Sequence, residues 1–144
     1  MFSKTCEYAI RAMIYIAQKT KDGSKVGFKE VAAGIDSPEH FIAKILQDLG
    51  RKNLVQSAKG PNGGFYLDES SANLCLADIV RAIDGDQLFS GCGLGLKYCS
   101  EKKPCPIHNE FKEIRDKISK MLQSSTISDY NELLDKGFLH LKKS

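Results

Sequence analysis

The chain has 144 residues, 42% of them apolar and 27% charged, with a formal net charge of +3. That length and balance suit one domain, or one small domain with a helical extension, and exclude wholesale disorder. No apolar run approaches the roughly 18 residues of a membrane span. Glu7 and Arg11 also interrupt the only early apolar stretch, so a cytoplasmic protein without a signal peptide is expected. Charge is uneven: residues 1–67 hold ten Lys/Arg against six Asp/Glu, and residues 68–144 hold eleven against twelve. A basic N-terminal half points toward a polyanionic partner.

Residues 4–19 read as a helix. Cys6, Ala9, Ile10, Met13, Ile14 and Ala17 recur at the i, i+3, i+4, i+7 spacing of one face, and Tyr8, Ala12, Tyr15 and Ile16 make the other side apolar too. A helix apolar on two sides is buried on two sides, so this one is expected to pack under its own domain and against a partner subunit. Its polar stripe is Lys4, Glu7, Arg11 and Gln18, with Glu7 and Arg11 spaced for an i, i+4 ion pair.

Phe28 to Ile35 is a short second helix. Ser37 followed by Pro38 signals a third, running to about Leu49. Ser37 can accept a hydrogen bond from a free helix N–H, and Pro38 suits the first helical position. Phe41, Ile42, Ile45, Leu46 and Leu49 form its expected buried face; Glu39, His40, Ala43, Lys44 and Gln47 point away. Residues 54–59 and 65–67 read as two strands around Gly60-Pro61-Asn62-Gly63-Gly64, with Asn62-Gly63 as the hairpin signal. The loop lacks the spacing and following helix of a phosphate-binding P-loop.

Helix, short helix, capped helix, then hairpin is the order of a winged helix-turn-helix, which lays its third helix in the DNA major groove. Residues 74–84 form another helix. A loop rich in glycine and cysteine follows, then a long helix in which Ile107, Phe111, Ile114, Ile118 and Met121 are spaced 4-3-4-3, a heptad seam. This small chain has little left to cover that seam, so a symmetric homodimer is expected. Ser128 is expected to cap a short final helix holding Tyr130, Leu133 and Leu134. The Lys142-Lys143-Ser144 tail is expected to fray.

The expected fold is therefore mainly α with a small β-hairpin. Residues 1–84 form the winged helix-turn-helix domain, 85–106 a cysteine-rich cluster-binding loop, and 107–144 the dimerisation helix and C-terminal helix. Ser37, Lys44 and Lys59 are expected to touch DNA phosphates. His40 and Gln47 are expected to approach base edges, and Asn62 sits in the wing.

Five cysteines are present, an odd number, and three fall within fourteen positions. A reducing compartment disfavours structural disulfides, so such a cluster reads as metal-binding or redox-active. Cys92, Cys99, Cys105 and His108 form C-x6-C-x5-C-x2-H, soft to borderline ligands suited to zinc or an iron–sulfur cluster. The spacing does not separate the two metals, although the tight cysteine pairs usual for zinc are absent. One helical turn would let Cys105 and His108 face one site. An enzymatic reading, with His108 activating Cys105, lacks a visible orienting carboxylate or oxyanion hole. Cys6 and Cys75 read as core filling.

Over nearly its whole length the chain resembles the Rrf-two family of bacterial transcription factors, the IscR/NsrR type. The resemblance rests on Tyr8-Ala9-Ile10-Arg11-Ala12-Met13, Ile45-Leu46-Gln47-Asp48-Leu49, Leu54-Val55, the run from Gly60 to Leu67, and the cysteine triad. It implies a homodimeric regulator that binds double-stranded operator DNA, is not an enzyme, and holds an iron–sulfur cluster through Cys92, Cys99 and Cys105. His108 matches the fourth ligand of the IscR branch. Glu7 matches the acidic residue that the NsrR branch supplies from the other subunit. The first cysteine gap is six residues, one more than is common in cluster-binding branches, and a zinc-bound or thiol-switch regulator is the alternative.

Overall fold

The computed structural model describes all residues, Met1–Ser144. Helix α1 (Lys4–Lys19) opens the chain. Ser3 caps it, its side chain accepting from the Cys6 N–H at 3.0 Å. Cys6, Tyr8, Ala9, Ala12, Met13, Ile14, Ile16 and Ala17 are all buried. Both apolar sides are covered within the one chain, by α2 (Phe28–Ile35), α3 (Glu39–Arg51), α5 (Leu76–Asp84) and α8 (Asn131–Asp135). No second subunit is needed to explain the two-sided pattern.

Helices α2 and α3 form the helix-turn-helix, and Val31, Ala32, Ile35, Ile42, Ile45, Leu46 and Leu49 fill the space between them and α1. Asp36 ends α2 in the left-handed region (φ 55°), which a short polar side chain tolerates. The start of α3 lies one residue later than expected. Pro38 is the cap, in extended conformation, and the Ser37 hydroxyl donates to the Pro38 carbonyl at 3.2 Å instead of capping. Phe41 also departs from the expected buried face. It is 47% exposed, stacked on Tyr8 with ring centroids 6.1 Å apart and tilted against His40 at 4.7 Å.

The wing is shorter than the apolar runs suggested. Strands β1 (Gln56–Ala58) and β2 (Gly64–Tyr66) pair antiparallel, Gln56 opposite Tyr66. Val26 bridges the other edge of β2, exchanging two backbone hydrogen bonds with Phe65. Asn62-Gly63 is not a two-residue turn, because neither residue has positive φ. The turn closes from the Gly63 N–H to the Gly60 carbonyl at 2.9 Å, with Pro61 second, where its fixed φ suits a type I geometry. Gly64 (φ 139°) is where glycine is required: a Cβ there would lie 2.8 Å from the Val26 carbonyl oxygen.

Short helix α4 (Glu69–Ala72) leads to Cys75, which is half-buried at the N-cap of α5. The loop expected over 85–106 contains a further short helix, α6 (Gln87–Ser90). Helix α7 (His108–Ser124) is about 25 Å long by the rise per residue. Its heptad seam divides. Ile107, Ile114 and Met121 are 38%, 57% and 49% exposed, whereas Phe111 and Ile118 are half-buried as α7 packs on α6 and α5. Leu122, outside the seam, is the buried residue of α7. Residues past its end are stitched to α5 by Leu76 N–H to the Ser125 carbonyl and Ile127 N–H to the Leu74 carbonyl.

The C-terminal end differs from expectation twice. Tyr130, not Ser128, occupies the cap position of α8, and the Ser128 hydroxyl donates to the Ala72 carbonyl at 2.7 Å. The last residues do not fray. Arg11 donates to the Leu141 carbonyl at 2.9 Å, the Lys143 N–H donates to Asp36, and Lys143 Nζ donates to the Tyr8 hydroxyl at 2.7 Å. That lysine holds the Tyr8 phenol below its ordinary range. These bonds also take Arg11 from Glu7, which pairs instead with Lys4 at 3.8 Å.

Candidate functional site: a cysteine–histidine centre and a basic groove

The triad lies at the junction of α6 and α7. The segment 91–107 leaves α6, loops out and returns to enter α7, so cysteines seven and six positions apart converge. The ligand atoms of Cys92, Cys99 and Cys105 all lie within 4.8 Å of one another. Cys92 Sγ and Cys105 Sγ are 3.6 Å apart, and the Cys105 N–H donates to Cys99 Sγ at 3.4 Å. His108, in the first turn of α7, turns Nδ1 toward Cys99 Sγ at 3.2 Å. Its ring contacts Cys99 rather than Cys105, although Cys105 and His108 line the same small cavity, as the spacing led one to expect.

The electrostatics of the thiols diverge. Backbone N–H groups of Leu96 and Leu94 point at Cys92 and hold its thiol down at about 7. Burial pushes the Cys105 thiol up, helped by the neighbouring cysteines. Cys6, buried in α1 beside Asp84, is raised to about 12 and reads as core, as expected from the sequence.

Two further residues complete the centre. Glu101 Oε1 sits 3.2 Å from His108 Nε2 and accepts from Lys112 Nζ at 2.7 Å. The lysine, then the histidine, holds this carboxyl below the usual range. Arg115 lines the same small cavity as the three cysteines, with Ser90, Gly93, His108 and Phe111. Its NH1 group donates to the Gly91 carbonyl at 2.8 Å, and its buried Nε has no partner. An unpaired guanidinium N–H beside three thiols suits a centre that becomes anionic when the thiols ionise onto a metal. The donor set therefore fits a thiolate-bound metal or cluster. Sequence reasoning missed Glu101 and Arg115. Each lies seven positions from His108, and only the loop fold of Glu101 and the helix face of Arg115 bring them in. Glu7 is elsewhere, half-exposed on α1 beside Lys4 and facing the C-terminal residues 140–143.

A second feature lies between α3 and the hairpin, a groove of about 690 Å³ lined in part by Lys44, Gln47, Arg51, Gln56, Ser57 and Tyr66. Lys25 lies over the Tyr66 ring, 5.4 Å from its centroid. Lys44 and Gln47 line the groove. Half-buried Ser37 and exposed His40 sit at the N-terminal end of α3, and exposed Lys59 and Asn62 at the wing tip. Arg51 and Lys25 add charge that the element-by-element reading did not single out.

Comparison with known proteins gives the family. The profile of Rrf2, described as an iron-dependent transcriptional regulator, matches residues 2–132. The chain belongs to the Rrf2 family. A relative from Aquifex aeolicus named as an HTH-type transcriptional regulator is 30% identical over 138 residues, covering 94% of each chain. One from Mycobacterium tuberculosis with the same naming is 30% identical over 128 residues, 88% of this chain and 78% of that one. Among solved structures, CymR, the global cysteine regulator of B. subtilis, superposes with a TM-score of 0.75 at 24% identity, covering 92% and 96% of the two chains. IscR of T. potens superposes at 0.74 and 21%, covering 96% and 91%. Both share the winged-helix fold. The chain is thus an Rrf2-type, DNA-binding transcriptional regulator rather than an enzyme, and no helix is long and apolar enough to cross a membrane.

The split in thiol acidity has a direct readout. With its thiol held down at about 7, Cys92 of metal-free, reduced protein should carry far more thiolate near neutral pH than Cys6, raised to about 12. Iodoacetamide followed by peptide mass mapping should mark Cys92 well before Cys6. The Cys92 rate should rise through pH 7 and level off above it, since only the thiolate is nucleophilic.

Proposed function

We propose that this Rrf2 regulator is a homodimer whose hold on operator DNA depends on an iron–sulfur cluster bound by Cys92, Cys99, Cys105 and His108. The observation that carries the reading is the convergence of three thiols within 4.8 Å, with His108 Nδ1 3.2 Å from one of them. A bound cluster would supply redox chemistry and reactivity toward small oxidants or nitric oxide; the chain supplies the thiolates, the histidine and the flanking Arg115. Because the centre lies where the DNA-binding half (1–84) meets α7, with residues 85–106 as the sensor loop and 107–144 as the dimerisation part, its order would bear on the angle between two recognition helices. Operator DNA as target makes the compartment cytoplasmic.

A zinc-bound regulator is the second reading, and one distance is compatible with it. Two thiolates on one zinc, each at ~2.3 Å, would be separated by ~3.8 Å in a tetrahedral site, close to the 3.6 Å between Cys92 and Cys105. Anaerobic reconstitution separates the two. Wild type carrying a cluster is brown with broad visible absorbance; zinc leaves it colourless. Cys99→Ala should lose the cluster and change operator affinity, and a Cys99→Ala protein with the wild-type spectrum overturns the reading. His108→Ala should perturb the spectrum and Glu7→Gln should not; the reverse would make Glu7, reaching from a second subunit, the fourth ligand.

The exposed stripe of Ile107, Ile114 and Met121 supports the homodimer. Ile114→Asp would place a charge in that interface at a cost of several kcal/mol. Sedimentation should then find monomers, with operator binding weakened; a dimeric variant with unchanged affinity removes this stripe from the interface.

For the DNA face, Ser37, Lys44 and Lys59 are proposed on phosphates, His40 and Gln47 on base edges, and Asn62 in the wing contact. The exposure of His40, Lys44, Gln47, Lys59 and Asn62, with Lys44 and Gln47 lining the α3–hairpin groove, supports this. Lys59→Ala should weaken binding to operator and random DNA alike and lower the salt slope by about one unit. Unchanged binding to both would take the wing off the DNA.

A further inference from the structure

Residues 99–105 form a tight excursion between two of the thiols. It is held by the Ser100 N–H to the Lys103 carbonyl at 3.1 Å, and by the Lys103 N–H to the Ser100 hydroxyl at 3.1 Å. At its tip, Glu101 reaches back to His108 Nε2 at 3.2 Å. The same carboxylate oxygen accepts from Lys112 Nζ at 2.7 Å. His108 and Lys112 are four positions apart on α7 and therefore share a face, so helix geometry presents both to one carboxylate. The other ring nitrogen, Nδ1, faces Cys99 Sγ at 3.2 Å.

An ionised carboxylate accepts hydrogen bonds and cannot donate one, so the Nε2 it contacts carries the hydrogen. The neutral imidazole then keeps its lone pair on Nδ1, on the side of the three thiols. A histidine free of this contact could present either nitrogen. We propose that Glu101, held in place by Lys112, is a positioning residue that fixes His108 as the Nε2–H tautomer with Nδ1 as the ligand nitrogen. This rests on the reading that the triad and His108 hold a metal. The arrangement is the carboxylate–histidine pairing that orients metal-bound imidazoles in general.

The test has a metal-free arm and a metal arm. Long-range 1H–15N spectra of reduced, metal-free protein should report His108 as the Nε2–H tautomer in wild type and as a mixture in Glu101→Ala. Cobalt(II), read by its thiolate absorbance in competition with a chromophoric chelator, should bind Glu101→Ala about tenfold more weakly, the low end for outer partners of metal-bound histidines because this carboxylate is largely exposed. Glu101→Gln, which keeps an acceptor oxygen, should retain most of the affinity. On a His108→Ala background, Glu101→Ala should produce no further loss. Wild-type tautomer and affinity in Glu101→Ala, or an additive loss on the His108→Ala background, overturns the proposal alone. A wild type that gives no cobalt–thiolate absorbance overturns the metal reading, and the proposal with it.

Discussion

Burial of α1 is the constraint from which the rest of the molecule takes its place. Eight of its residues are withdrawn from solvent, and the helix touches α2, α3, α5 and α8. Full burial of a large aliphatic side chain contributes roughly 1.5–3 kcal/mol, so Met13, Ile14 and Ile16 alone form a strong anchor. The recognition helix is seated on one side of α1, and α5, which carries α7, on the other. The Ser3–Asp84 hydrogen bonds clamp the start of α1 to the end of α5. Beyond Asp84 the chain enters the segment that holds the cysteines.

That segment is built from the opposite physics. It buries little: of residues 85–107, Cys105 alone is buried, and Leu94, Leu96 and Tyr98 are exposed. Its order comes from polar contacts among thiols, backbone N–H groups, His108, Glu101 and Lys112. Such contacts are individually weak when solvated, and Arg115 Nε is left without an acceptor. A bound metal would replace these weak contacts with strong ligand bonds, whereas the α1 core is complete without it. The two halves thus differ in what stabilises them.

Polar groups on α1 also fix the far end of the chain. Arg11 and Tyr8 receive the C-terminal residues, and Lys143 reaches both Tyr8 and Asp36 at the turn of the helix-turn-helix. Phe41 stacks on the same Tyr8 from the first turn of α3. The chain end is thereby tied to the mounting of the recognition helix.

Patterns carried by neighbouring residues were legible in the sequence. The bounds of α1 and α2, the four aliphatic residues that seat α3, the hairpin, and the cysteine–histidine cluster follow from helical or alternating spacing and from ligand chemistry, which local sequence encodes directly. What required tertiary structure was each side chain's choice among competing partners. Arg11 left Glu7 for backbone carbonyls 24 and 130 positions away. Ser37 and Ser128 gave up expected caps, Phe41 turned outward onto Tyr8, and the seam of α7 divided between its own domain and solvent. His108 met Cys99 rather than Cys105, and Glu101 and Arg115 joined the centre through a loop and a helix face. Apart from Arg115, which lies two helical turns from His108, these outcomes depend on where distant groups arrive once α1 is buried, and no local period carries that information.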